Sequence, residues 1–483
     1  MLVFMGILLG WKRGLLLVCV MLAGRVAFGC DQLPAGQALW IRLAAPVSTY
    51  TAKTGDVVHA VLTQELVCDK EVVLPMGAAV DGVVRSRRKV GWGIRHETAA
   101  LELEFTRATA EDGAAVALTA RVEEVENARE MVRKGVIEGI RSSNTFQGTI
   151  NSRLIHLPTW NPYSDPVLLA YKAVFPIFPE PEIYYPAGTD IRLRTTTEVS
   201  CASIVSAHES TLNDAEKLDM DELVEQLPWR VTNKKNVDAD VLNIVFLGTR
   251  DQVTAAFHEA GWNNADHVSK RTVMKNMYAL LNNSGYAQEP MMTFYLNERP
   301  EDMNWQKSLN SYGRRDHLRI WQWGEGESGG AADSVWISSS THDTGAVLAV
   351  KYHGFVHHIA TDIDEERSTV IRDLNFAGCV RSVSYVSRPR MPIATHNATG
   401  DAMHTDGSVA VIELQDCRPA HHELDSTSKS SYRPGGYTFR YIRKEILTFK
   451  NDIFRANIIY GAYDAGRMTV TALRQRRLAA AAY

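Results

Sequence analysis

The chain has 483 residues, of which 45% are hydrophobic and 22% are charged, and its formal net charge is −4. This composition is typical of globular proteins and excludes a largely disordered chain, and the length suffices for roughly three domains of about 150 residues. The small net charge argues against a nucleic-acid-binding protein, which would carry a strongly basic face.

The first 29 residues have the pattern of a signal peptide. Lys12 and Arg13 precede an apolar run at 14–24, which is short for a membrane span, and Ala27 and Gly29 place small residues before Cys30. We therefore expect an exported protein, periplasmic or envelope-associated, with no transmembrane span after this segment. Two alternatives stay open: a lipid anchor at Cys30, and an uncleaved N-terminal anchor.

Of the six cysteines, five follow residue 29. Exported chains can oxidise their cysteines, which favours disulfide bonds. We predict a bond between Cys379 and Cys417, and one from Cys68 to either Cys30 or Cys201. The alternative is a set of buried thiols, because spacing alone does not fix the pairing.

Residues 30–204 are predicted to form a β-rich domain, a barrel or a sandwich. Short apolar stretches recur at nearly ten-residue spacing between glycine and proline turns, and residues 101–105 alternate strictly between apolar and acidic side chains. A proline-rich excursion follows residue 127, and residues 184–201 are predicted to return to the domain as a strand. A Pro-x-Gly turn before a strand, at 75–77 and 186–188, faintly resembles the periplasmic barrel of TrbI-type secretion proteins. That resemblance implies envelope or secretion-system proteins as partners.

The hydrophobic period changes after an acidic linker at 205–227, which is predicted to end in a short helix at Asp219–Gln226. A continuous apolar strand at 241–247 is followed by a capping box at Thr249 and Gln252 and by a helix that ends before Gly261. A second helix is predicted at 269–282, and a third begins near Asp362. Strands are predicted at 291–297, 317–323, 335–339, 346–350 and 380–386. The expected fold class is therefore α+β and multidomain: an N-terminal barrel- or sandwich-like domain, a mixed α/β domain at 228–390, and a C-terminal extension of mixed strands and tail at 391–483.

The mixed domain carries five short motifs that resemble the LssY C-terminal domain family. They are Asn243–Gly248, Ala260–Trp262, Asp316–Trp321, Thr341–Asp343, and His357–Ile359 with Asp362–Arg367. The family usually has a histidine where this chain has Asp316. The resemblance implies the fold of this domain and no established activity, so it supplies no catalytic residues.

Histidines and carboxylates are densest between residues 336 and 379. Imidazole and carboxylate groups suit a divalent metal, and the candidate ligands are His342, His357, His358 and Asp362. His342, Asp343 and His358 are the candidate acid/base residues for catalysis. Neighbours in a strand point to opposite faces, so only one of His357 and His358 can join a given site. A structural polar network is the alternative, because Asp362 also suits the N-cap of a helix.

The same motifs contain candidates for ligand binding without chemistry. They are His317, Arg319, Trp321 and Arg367. The leading hypothesis is an exported cell-envelope protein that binds a ligand or a partner. The alternatives are a metal-dependent hydrolase acting on a phosphate or lipid-like substrate, and a scaffold in a secretion-related envelope assembly.

Overall fold

The structure is a computed structural model that describes most of the chain between residues 32 and 447. The described residues are 32–68, 71–141, 179–200, 214–323, 335–349, 354–418, 436, 438, 439, 441–447, 466 and 469. The predicted signal peptide, Cys30, Cys201 and most of the proline-rich excursion lie outside them. Among the described residues, no helix is both long and apolar enough to cross a membrane.

The N-terminal part is built of short strands. In chain order they are β1 (Gln32–Leu33), β2 (Ala38–Leu43), β3 (Val47–Ser48), β4 (Val57–Leu62), β5 (Leu66–Cys68), β6 (Glu71–Leu74), β7 (Ala79–Arg88), β8 (Ala100–Thr109), β9 (Ala115–Val125), β10 (Met131–Arg133), β11 (Val136–Glu138), β12 (Tyr184–Tyr185), β13 (Asp190–Thr195) and β14 (Val199–Ser200).

Six of these strands close a barrel within the described residues between 32 and 200, in the order β2-β4-β7-β8-β9-β13. Closure follows because β13 pairs with both β2 and β9, and β9 also pairs with β8. The alternation predicted in β8 is real: Leu101, Leu103 and Phe105 are fully buried in the barrel core. Gly82 permits a close approach in β7, since a Cβ there would lie 2.6 Å from the Phe105 ring.

The C-terminal part alternates helices and strands. In chain order its elements are α1 (Asp214–Gln226), β15 (Arg230–Thr232), β16 (Asp238–Val241), β17 (Ile244–Leu247), α2 (Arg250–Glu259), α3 (Lys270–Asn282), β18 (Tyr295–Leu296), β19 (Arg299–Pro300), β20 (Met303–Ser308), β21 (Arg315–Trp323), β22 (Val335–Ala349), β23 (Gly354–Ile359), α4 (Ile363–Phe376), β24 (Val380–Ser387), β25 (Ala394–His396), β26 (Ala402–His404) and β27 (Ser408–Leu414).

A mixed sheet forms the centre of this part. Among the described residues it has seven strands, in the order β20-β21-β22-β17-β27-β24 with β23 paired to β22. Only β17 and β27 run parallel within it. Helices α2 and α4 pack an apolar core on one face, through Phe257, Val370 and Leu374. On the other face, Val224 and Leu227 from the end of α1 pack on Trp321 and Ile337.

The predicted fold class, a barrel followed by a mixed α/β domain, is confirmed. Both elements of the Thr249–Gln252 capping box are present, and Asp362 is the N-cap of α4. The disulfide between Cys379 and Cys417 is confirmed, and Cys68 is also disulfide-bonded.

Three elements differ from the sequence-based expectation. The strands predicted at 335–339 and 346–350 are one strand, β22, because a register shift near Gly345 absorbs the irregularity without ending the pairing. β27 belongs to the central sheet although it lies beyond the predicted boundary at residue 390, since its parallel pairing with β17 is long-range. The helix predicted at the end of the acidic linker is longer than expected, since α1 begins at Asp214 rather than at Asp219, and its C-terminal residues are buried.

A buried ion network joins the barrel to the mixed domain. Lys307 Nζ of β20 lies 3.0 Å from Glu126, 2.6 Å from Asp190 and 2.7 Å from Asp373. Two arginines complete the network: Arg42 binds Asp190 through two hydrogen bonds and reaches Asp373, and Arg372 Nη2 lies 2.5 Å from Glu126. Three cationic side chains thus face three carboxylates across the junction.

Replacement of Lys307 by methionine should destabilise the protein strongly. The apolar side chain leaves three buried carboxylates without their shared cation, and breaking such a buried network costs about 3–5 kcal/mol. The free energy of unfolding in urea measures the loss. The exposed Lys235→Met variant is the matched control and should change stability by less than about 0.5 kcal/mol. A loss for Lys307→Met that equals the control would contradict the role given to the network.

Candidate functional site

The pairing of β21 with β22 distributes polar residues over both faces of the sheet. Residues directly opposite in an antiparallel pair share a face, and the next pair along takes the other face. Arg315 is opposite Asp343, and His317 is opposite Thr341. Between these two pairs, Asp316 is opposite His342. The strand pair therefore contributes polar groups to one site on each face.

The first face borders a cavity of about 450 Å³. Its polar floor consists of side chains from the sheet and from β16 and the loop before β18. The floor residues are Asp240, Glu289, Arg315, His317, Arg319, Asp343 and His357. The walls are largely apolar and come mainly from α3 and the segment before β18, with Val273, Met291, Met292, Phe294 and Tyr312.

Most charges on the cavity floor are paired with one another. Arg315 donates to Asp343 at 2.8 Å and lies 3.2 Å from Glu289. His357 lies between the same two carboxylates, with Nδ1 3.2 Å from Asp343 and Nε2 3.5 Å from Glu289. Arg315 and His357 are therefore held by the protein itself.

Burial and these partners shift the pKa values of the floor residues in different directions. Burial lowers the pKa of His317 to about 3, so this imidazole is neutral at pH 7. Burial also disfavours the charged form of His357, but the hydrogen bonds to Asp343 and Glu289 outweigh it and raise the pKa to about 9. Burial raises the pKa of Asp240 to about 6.

Three side-chain nitrogens on the floor lack a hydrogen bond among the described residues. They are Arg319 Nη1, His317 Nδ1 and His357 Nδ1, the last of which lies 3.2 Å from Asp343. Arg319 donates through Nε to the Met292 carbonyl, and its guanidinium lies 4.1 Å from the centroid of the Phe294 ring. Its Nη1 is 3.5 Å from Asp240, too long for a good hydrogen bond. A buried donor without an acceptor is costly, so this corner of the cavity favours an acceptor from a ligand.

The opposite face of the sheet holds a compact acidic cluster with one histidine. His342 Nδ1 lies 2.6 Å from Asp316, and Glu366 from the first turn of α4 completes the group. Asp316 also accepts a hydrogen bond from Asn127 of the barrel at 2.6 Å. Burial and then the neighbouring Asp316 raise the pKa of Glu366 well above its ordinary value.

On the cavity face of the sheet, a hydroxyl, an imidazole and a carboxylate lie next to one another in space. Thr341 Oγ1 is 2.9 Å from His317 Nε2, and His317 Nδ1 is 3.6 Å from Asp343. Nucleophilic catalysis requires a hydroxyl that a substrate can reach. Thr341 is 1% exposed and does not line the cavity, so this arrangement is a buried polar chain.

The structure separates the predicted catalytic and metal-binding residues. His342 and Asp343 are adjacent in the middle of β22 and point to opposite faces. His357 faces the cavity, whereas His358 pairs with Asp401 at 2.6 Å near the surface. Asp362 caps α4 through the Asp364 amide. These candidates therefore do not meet in a single site.

Two of the four predicted ligand-binding residues, His317 and Arg319, line the cavity. Trp321 is fully buried in the apolar core beneath it. Arg367 pairs with Asp406 at 2.7 Å and reaches the Ser408 carbonyl, so it holds α4 to the loop before β27.

Several site residues were not anticipated from the sequence. Arg315 could have been found, because it continues the Arg319–His317 face of β21 two residues earlier. Asp240, Glu289 and Glu366 come from distant segments, and no local pattern marks them. Their inclusion depends on tertiary packing alone.

Replacement of His357 by glutamine should remove a pH-dependent part of the stability. Because the folded pKa is raised to about 9 from its ordinary value of 6.5, the charged His357 stabilises the fold fully below about pH 6.5 and loses this effect as the pH rises to about 9. The difference in unfolding free energy between wild type and variant should shrink by on the order of 3 kcal/mol over that range. Urea titrations at pH 6 and 9.5 measure it. The exposed His267→Gln variant is the control; a difference independent of pH for His357→Gln would contradict the proposed ion pair.

Comparisons with known proteins bear on the mixed domain. A search of curated proteins found no match. Among solved structures, the chain has a likeness to ComB10 of the Com type IV secretion system of Helicobacter pylori, with 12% identity, a TM-score of 0.21, and coverage of 35% of this chain and 89% of that chain. A TM-score of 0.21 does not indicate a shared fold. The family model described as the LssY C-terminus matches residues 224–409, which confirms the resemblance predicted from the motifs of the mixed domain.

Proposed function

We propose that this protein is an exported cell-envelope protein whose mixed domain binds a small amphipathic molecule with an anionic head group. The head, a carboxylate or a phosphate, lies against Arg319 and His317, and the apolar body lies along the walls formed by α3 and the segment before β18.

The observation that carries the proposal is the cavity with apolar walls and an unsatisfied donor pair at its floor. Its volume of about 450 Å³ is within the usual range for small-molecule sites. Arg319 Nη1 and His317 Nδ1 both belong to residues lining this space and both lack a hydrogen-bond partner among the described residues. An oxyanion would accept hydrogen bonds from Arg319 and from the Nδ1–H tautomer of His317, and a charge-assisted hydrogen bond to a guanidinium is stronger than a neutral one.

Binding is favoured over catalysis by how the other floor groups are used. Arg315 and His357 are engaged by Asp343 and Glu289, so neither is free to transfer a proton without breaking a buried pair. The hydroxyl of Thr341 is out of reach of a ligand in the cavity. Ligand recognition requires none of these groups to move.

Export is supported by the oxidised cysteines. Disulfides persist mainly in oxidising compartments, and Cys379–Cys417 links the end of α4 to the segment after β27. Together with the signal-peptide pattern of the first 29 residues, this favours a periplasmic or envelope-associated location.

Substitution of Arg319 by methionine should weaken binding of an anionic amphiphile. Loss of a charge-assisted hydrogen bond of about 1.5–3 kcal/mol corresponds to a Kd that rises roughly 10- to 100-fold. Isothermal titration of the full chain with sodium dodecanoate and with dodecyl phosphate measures it, and dodecyltrimethylammonium should bind wild type more weakly than either.

The matched control is Arg381→Met, an arginine on β24 that is 63% exposed and distant from the cavity lining. It should leave the Kd within about twofold of wild type, since exposed ion pairs contribute little. No saturable binding of either anionic probe to wild type, or equal weakening by both substitutions, would refute the proposal.

A further inference from the structure

The acidic cluster on the helix-covered face of the sheet has the composition of a metal site. Asp316, His342 and Glu366 come from β21, β22 and α4, and one ligand atom from each lies within 4.8 Å of the other two. Zinc and similar ions bind nitrogen and carboxylate oxygen at about 2.0–2.2 Å, so three ligands around one ion are separated by roughly 3–4 Å. Small side-chain adjustments would bring the three ligand atoms from their observed distances to that spacing.

One carboxylate oxygen of the cluster has no hydrogen-bond donor among the described residues. Glu366 is 3% exposed, and its Oε1 accepts no hydrogen bond within the described part of the chain. Its neighbour Asp316 is itself a carboxylate and is 1% exposed. A buried carboxylate facing another carboxylate is unfavourable unless a proton or a cation lies between them.

The cations nearest to the cluster are already neutralised. Lys307 contacts three carboxylates of the ion network, and Arg42 and Arg372 are bound to the same three. That network contains as many carboxylates as cations, so it supplies no spare positive charge to Asp316 and Glu366. The one polar donor from the barrel, Asn127, is neutral.

The ion network is an internal comparison for the cluster. Glu126, Asp190 and Asp373 also bring three ligand atoms within 4.8 Å of one another, and there the ammonium of Lys307 binds all three. No lysine or arginine binds the Asp316, His342 and Glu366 group in this way among the described hydrogen bonds and ion pairs. A histidine is present instead, which is a typical transition-metal ligand.

From this geometry we propose that Asp316, His342 and Glu366 bind one divalent transition-metal ion at the junction between the sheet and the barrel. Asn127 orients Asp316 by donating to its second oxygen, as outer-shell groups do in metal sites. The His342 side chain is 24% exposed, so the site has an open side for water as a further ligand. The ion links β21, β22 and α4 close to Asn127, which contacts Asp316 from the barrel. It lies on the opposite face of the sheet from the cavity.

The test is metal binding to the untagged full-length chain, stripped with EDTA and exchanged into metal-free buffer. We expect one equivalent of Zn²⁺ or Mn²⁺ to be retained after equilibrium dialysis, measured by mass spectrometry of the metal, and Mg²⁺ to bind more weakly because it prefers all-oxygen ligands. At free metal about 100-fold above Kd, Tm should rise by roughly 5–10 °C. Retention of no stoichiometric Zn²⁺ or Mn²⁺ would overturn the proposal.

Glu366→Gln is the decisive variant, since it replaces an unpartnered carboxylate by a neutral group of the same shape. It should weaken metal binding by at least about 100-fold and abolish the Tm rise, whereas Glu259→Gln, at an exposed position of α2, should match wild type. Asn127→Gly is a second variant, and glycine keeps the left-handed backbone found at φ 56°. It should weaken metal binding about 10- to 100-fold. This variant tests the proposal if Glu366→Gln does not fold. Wild-type affinity in the folded variants would overturn the ligand assignment. Because dodecanoate binding uses the other face, the two proposals fail independently.

Discussion

The contact between Lys307 and three carboxylates is the constraint on which the arrangement of the two domains depends. Two of its carboxylates, Glu126 and Asp190, come from the barrel, and Asp373 comes from α4. Burial disfavours the charge on Lys307, yet the three carboxylates outweigh burial and hold its pKa above the usual value. Burial raises the pKa of Glu126 to about 7. Such a network is stable only when all its members are in place, because each charge removed leaves another buried without a partner. The junction is therefore selective for one docking geometry.

That geometry determines what each face of the central sheet can do. The face toward α4 and the barrel is largely covered, and its polar residues lie within a protein interface except for the partly exposed His342. The face toward α3 is open enough to form a cavity, because α3 covers it with side chains that leave space above the floor. The same two strands thus supply a buried junction on one side and a ligand-sized space on the other. With this division, the ligand proposed for the cavity would bind without disturbing the contact between the domains.

The sequence allowed the fold to be predicted better than the site, for physical reasons that differ between elements. Helix α2 was predicted with its cap because Thr249 and Gln252 form a local hydrogen-bonded pair, and Asp362 was recognised as an N-cap for the same reason. Buried alternation at 101–105 likewise depends only on neighbouring residues. The pairing of Asp316 with His342, by contrast, depends on the register of β21 against β22, which brings together residues 26 positions apart in the chain. Glu366 joins them only through the docking of α4, so no spacing in the sequence predicts the cluster.

The register of β21 against β22 fixes the positions of the cavity floor and of the acidic cluster together. Arg315 with Asp343 and Asp316 with His342 are consecutive rungs of one ladder, so a slip of one residue would move each pair to the wrong face. Such a slip would place the charged cavity floor against the apolar core beneath α2 and α4, at a cost that the ladder hydrogen bonds could not offset. Leu318 and Ile320 are fully buried on the helix side of the sheet. The same slip would remove them from the apolar core, so they also stabilise the observed register. The positions of the polar groups are therefore fixed by the hydrophobic alternation of β21, and the two candidate sites are consequences of one packing constraint.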